Sequence, residues 1–152
     1  MRVLVLAFVL FGAGLTHAQV LKPFFNLDGE GLWVEGYDPV AYLVQGKAMR
    51  GSARISATYK GATFRFSNTT HQALFKKDPE HYLPQYGGWC AYALGANNEK
   101  VEVDPDTFKV KDGKVFLFYN AFFNNTLATW NKNEAQLHRS AELHWAAFQH
   151  SK

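Results

Sequence analysis

The chain holds a single cysteine, Cys90, within Tyr86-Gly87-Gly88-Trp89-Cys90-Ala91-Tyr92. A deprotonated thiol is a soft metal donor and a nucleophile, whereas a neutral one behaves as a small hydrophobe. Four uses are therefore open for Cys90. It can pack among Tyr86, Trp89 and Tyr92, ligate a metal or haem, act as a nucleophilic or redox thiol, or pair with a cysteine on another chain. The third use needs an electropositive setting that lowers the thiol pKa, and the neighbouring sequence supplies none. The fourth is the option left to an odd cysteine in an oxidising compartment. The two glycines before Trp89 allow a sharp turn or a close backbone approach.

Histidine is the natural companion of a thiol donor, and His71 and His81 are the best placed. Neither forms a recognised ligand spacing with Cys90, such as Cys-x-x-Cys or His-Glu-x-x-His. His138 and His144 fall on a C-terminal helical stretch and read as core or boundary residues. Asp38, directly before Pro39, reads as a helix cap, and Asp104 and Asp106 around Pro105 read as turn residues. The chain has no Gly-x-Ser-x-Gly, no phosphate loop and no supported Ser/His/Asp order. An enzyme is accordingly the least supported class.

The elements that must position these residues follow from local patterning. Asp38-Pro39 starts a short helix that runs through Val44 and stops at Gly46. Ile55–Tyr59 and Thr63–Phe66 alternate around Lys60-Gly61 as a β-hairpin. Asn68 or Thr69 caps a helix carrying Ala73, Leu74 and Phe75, which ends at Asp78-Pro79. Glu80 to Tyr86 is irregular, and Gly95 to Asn98 and Asp104-Pro105 are turns. Phe108–Lys111 and Lys114–Tyr119 flank Asp112-Gly113, the strongest short hairpin signal in the chain. From Asn125, Leu127, Trp130, Leu137, Ala141, Trp145 and Phe148 recur at helical spacing, and Asn131-Lys132-Asn133 is a potential break. The fold class is α+β: one small domain with two hairpins packed against several helices.

Residues 1–18 read as a secretory signal, with Arg2, an apolar Val3–Phe11 run and a small-residue site ending at Ala18. Residues 19–35 read as an N-terminal arm and 36–149 as the domain. The expected location is outside the cytoplasm, periplasmic or secreted, with no membrane span in the mature chain. The net charge of +3 comes from scattered cations, which argues against a nucleic-acid surface. Aromatic residues make up 16% of the chain, enough to build a core without disulfide staples.

Asp38-Pro39-Val40, Tyr59 to Ser67, Phe75 and Asp78-Pro79-Glu80-His81-Tyr82 resemble the YHS domain. Gly36 to Tyr42 and Pro84 to Tyr92 are similar to its exported, single-domain bacterial branch, and Asp104-Pro105, Asp112-Gly113-Lys114 and Trp145 extend the likeness. The resemblance implies a YHS-like fold. Short YHS domains are associated with metal binding through three cysteines. Ala41, Phe66 and the Thr70/His71 region stand at those places here, so the thiol set is not carried over. His71 lies where such domains place a ligand. The resemblance thus implies a small binding module, with a pocket rimmed by Tyr37, Tyr42, Trp89, Cys90 and Tyr92. Its ligand would be copper, zinc, iron or haem, held by Cys90 with His71 or His81. The competing reading is a structural or interaction domain with an unknown protein partner and no small-molecule chemistry.

Overall fold

The computed structural model describes residues 24–150, so the expected signal segment lies outside the described residues. The first helix, α1 (Pro39–Val44), starts where the sequence places it: Asp38 Oδ1 accepts from the amides of Val40 and Ala41. A hairpin follows, β1 (Ser52–Tyr59) and β2 (Ala62–Phe66), turning through Lys60 and Gly61 at positive φ. Asn68 caps α2 (Thr69–Lys77), and Asp78 then caps α3 (Pro79–Tyr82), a helical turn in a segment expected to be irregular. Gln85–Gly88 is a 3-10 turn leading into α4 (Ala91–Asn97). The second hairpin is β3 (Asp104–Lys111) with β4 (Lys114–Phe118), and its turn carries Asp112 and Gly113 at positive φ. A third, very short hairpin, β5 (Asn120–Ala121) with β6 (Asn124–Asn125), precedes α5 (Thr126–Lys132) and α6 (Glu134–His150).

The architecture of the described residues is α+β: six helices with three two-stranded antiparallel sheets. Among the described residues no helix is long and apolar enough to cross a membrane. Strand β4 is the partition of the interior. Val115 and Leu117 belong to a cluster with Trp33, Val40, Tyr42, Phe64, Phe66 and Phe75. Phe116 and Phe118, on the other face, belong to a cluster with Tyr86, Leu94, Trp130 and Ala141. A strand buried on both faces reads as an unbroken apolar run, which is what Val115 to Phe118 is.

Three expectations change in detail. Gly95 is not a turn residue but lies within α4, where a Cβ would stand 2.4 Å from the Leu137 carbonyl oxygen. The missing side chain lets α4 and α6 touch backbone to backbone, and the helix ends only at Asn98, in the left-handed conformation. Asp104 and Pro105 belong to the irregular start of β3, with a register shift between Asp104 and Phe108. Phe25 and Trp33, in the expected arm, are buried in the core, so the stretch from Phe24 onward is part of the domain.

Candidate functional site

The Gly-Gly-Trp-Cys stretch is a junction for the N-terminal segment. The Gly87 carbonyl accepts from the Asn26 amide (3.0 Å) and from Trp33 Nε1 (3.0 Å), and the Gly88 carbonyl accepts from Asn26 Nδ2 (3.2 Å). A Cβ on Gly87 would lie 2.3 Å from the Phe24 carbonyl oxygen, and Gly87 itself sits at φ +66°. Both properties demand glycine, so packing accounts for the pair.

Cys90 is fully buried immediately before α4. Its Sγ accepts from the Tyr119 amide (3.3 Å) and lies 3.5 Å from Thr126 Oγ1. The Thr126 hydroxyl donates its one proton to the Tyr119 carbonyl (2.7 Å), leaving the thiol as the donor in the Cys90–Thr126 pair. The sulfur is therefore a protonated, two-sided clasp joining the start of α4 to the β4–β5 connection and the start of α5.

His71 belongs to a different cluster. Its Nδ1 donates to Asp38 Oδ2 at 2.7 Å, and the same oxygen accepts from the Ser67 amide and hydroxyl, both at 2.8 Å. Asp38 has no exposed surface and His71 is 3% exposed. Capping engages only one oxygen of Asp38; the other joins the end of β2 to α2. Ser67 and His71 both point at the carboxylate, and the serine meets Nδ1 (3.3 Å), the same ring nitrogen that Asp38 holds. That is not the relay of a nucleophilic triad, in which serine and aspartate engage opposite nitrogens. His81 is exposed on α3, edge-on to Tyr82.

The three expected metal donors thus have separate neighbours, and among the described residues no group of three or more His, Cys, Asp or Glu side chains is arranged to hold a metal ion. The donor chemistry does not fit a resident metal: Cys90 spends its proton and its lone pair inside the fold, and His71 is tied to Asp38. The expected aromatic rim is divided as well. The Tyr42 hydroxyl donates to the Pro105 carbonyl and Tyr37 to Asp106, while Trp89 Nε1 donates to the Phe24 carbonyl. Burial pushes the Tyr42 phenol far up from its ordinary value, with Tyr37 and Asp106 adding to the shift, and it stays neutral. Tyr92 alone of the four shares a concavity with Cys90.

That concavity has a volume of about 250 Å³, with Cys90 at its floor and Tyr92, Ala93, Val101, Tyr119 and Thr126 around it. Asn97 and Asn124, both exposed, complete it. None of these residues is charged. Asn124 leads directly into the feature that sequence reasoning missed. The β5–β6 loop consists of Phe122 and Phe123, at φ +52° and +63°, and the two residues are 92% and 112% exposed. Two-residue hairpins with both central residues at positive φ favour Asn-Gly, because a Cβ there costs about 1–2 kcal/mol per residue. The available signal was an apolar pair bracketed by asparagines: Asn120-Ala121-Phe122-Phe123-Asn124-Asn125.

Compared with family models, curated proteins and solved structures, the chain shows no significant match.

Proposed function

We propose that this chain is an exported, YHS-like interaction module that works by protein–protein contact and carries no small-molecule chemistry. One observation carries the reading: two phenylalanines held out in solvent on a backbone that disfavours them. Large apolar side chains exposed together mark contact surfaces, and strain is retained where function requires the residue. The uncharged concavity beside the hairpin extends the same face. The uses of Cys90 and His71 inside the fold support the reading from the other side, because they leave neither as an open ligand.

The test places a photo-crosslinking phenylalanine analogue at position 122 of the full chain in its producing cell. An identical analogue at Leu143, exposed and apolar on α6, serves as control. A light-dependent protein adduct of one defined mass at 122, and not at 143, is expected. Equal or absent adducts at the two positions would sink the interaction reading.

A further inference from the structure

We infer that the partner at this face is a second copy of the same chain, each copy inserting its Phe122-Phe123 tip into the other's Cys90 concavity. The inference rests on the interaction reading above and adds the identity of the partner. Knob and hole lie side by side, because Asn124 both follows Phe123 in the chain and lines the concavity. A protrusion next to a recess on one face is self-complementary under a two-fold rotation, and the contact closes at two copies.

Size agrees. A cavity of roughly 150 Å³ accommodates benzene, so about 250 Å³ has room for a phenyl ring with its methylene. Each phenylalanine hides roughly 150–250 Å² when covered. Four such side chains supply roughly 600–1,000 Å², the small end of specific interfaces, where weak and reversible contacts lie. Charge agrees too. A two-fold contact brings each chain's charges near their own copies, and like charges so placed repel. Neither the concavity nor the hairpin from Asn120 to Asn125 carries a charge, although the whole chain is basic. Phe122 and Phe123 leave their own chain's concavity unfilled, as their exposure shows.

The test uses the purified mature chain and two variants. Phe122→Asn/Phe123→Gly removes the knob while installing the residue pair that this turn prefers, so the hairpin itself is not weakened. Asn97→Trp fills the hole from an exposed position. Sedimentation velocity is expected to show a reversible dimer for the parent. Its dissociation constant should rise at least about 100-fold in each variant, with circular dichroism unchanged. Mixing the two variants should restore a heterodimer, seen by native mass spectrometry, because one intact knob then meets one intact hole.

A parent that stays monomeric, or a dimer indifferent to Phe122→Asn/Phe123→Gly, would overturn the inference. So would a monomer that binds phosphatidylcholine or phosphatidylglycerol vesicles through the two phenylalanines. An adduct at position 122 with a different polypeptide, alongside a monomeric parent, would overturn self-association and leave the interaction reading standing. No adduct at 122 would remove both.

Discussion

Asp38 shows how much a single buried carboxylate can hold. Five donors converge on it: two amides at the start of α1, the amide and hydroxyl of Ser67, and His71 Nδ1. If capping were its whole task, Asp38→Asn would be almost neutral, since asparagine caps as well as aspartate. The second oxygen makes a different prediction. An amide NH₂ would face three donors in a site without solvent, and a buried donor left without its acceptor costs about 1–3 kcal/mol. Urea denaturation of Asp38→Asn should show a loss of that order, and a loss under 1 kcal/mol would return Asp38 to a simple cap. Cys90→Ala should cost less, about 1–2 kcal/mol, for the Tyr119 amide and the Thr126 hydroxyl left without their sulfur partner. Alkylation of the parent thiol should occur only on unfolding, and rapid labelling of native protein at neutral pH would contradict the buried clasp. These roles were only half legible in the sequence. The Asp-Pro cap is a local signal, whereas the convergence of Asp38 with His71, and of Cys90 with Thr126, depends on contacts more than thirty residues apart.

At the scale of elements, local chemistry that satisfied its own backbone was readable and chemistry answered by a distant partner was not. The Asp38 and Asn68 caps, the Lys60-Gly61 and Asp112-Gly113 turns and the break between α5 and α6 at Asn133 are all set by residues adjacent to the element. Gly95 read as a turn because glycine usually breaks helices, yet the Leu137 backbone on α6 decides its place. The β5–β6 hairpin was invisible because its strands are two residues each and its turn lacks the usual glycine or asparagine. Gly95→Ala tests the first of these. Its Cβ would meet backbone rather than a side chain that can swing away, so α4 and α6 must separate. Overpacking of this kind costs about 1–3 kcal/mol, against a gain of up to ~1 kcal/mol from helix propensity. A thermal midpoint that rises in Gly95→Ala would mean that the helices are not in backbone contact.

Taken as one molecule, the chain builds two aromatic clusters on the two faces of β4, and each contains a buried phenol. Tyr42 is fully buried in the first, donating to the Pro105 carbonyl; Tyr86, in the second, donates to Glu142 Oε1 at 2.9 Å. Burial raises both pKa values well above the ordinary 10.0, and the Glu142 charge adds to the shift at Tyr86. A group whose pKa is higher in the folded state contributes stability that is complete below its unfolded value and declines as pH rises past it. The unfolded chain therefore releases both protons from about pH 10 upward while the folded chain retains them. The urea midpoint should be level up to about pH 9 and fall beyond pH 10, each phenol contributing about 1.4 kcal/mol per pH unit. Tyr42→Phe should start lower at pH 7, because the Pro105 carbonyl loses its donor, but descend less steeply above pH 10. Tyr86→Phe should do the same for the second cluster. Parallel alkaline limbs in parent and variants would show that these phenols ionise without opening the core. Distinct slopes would show that each phenol keeps its proton until the chain unfolds.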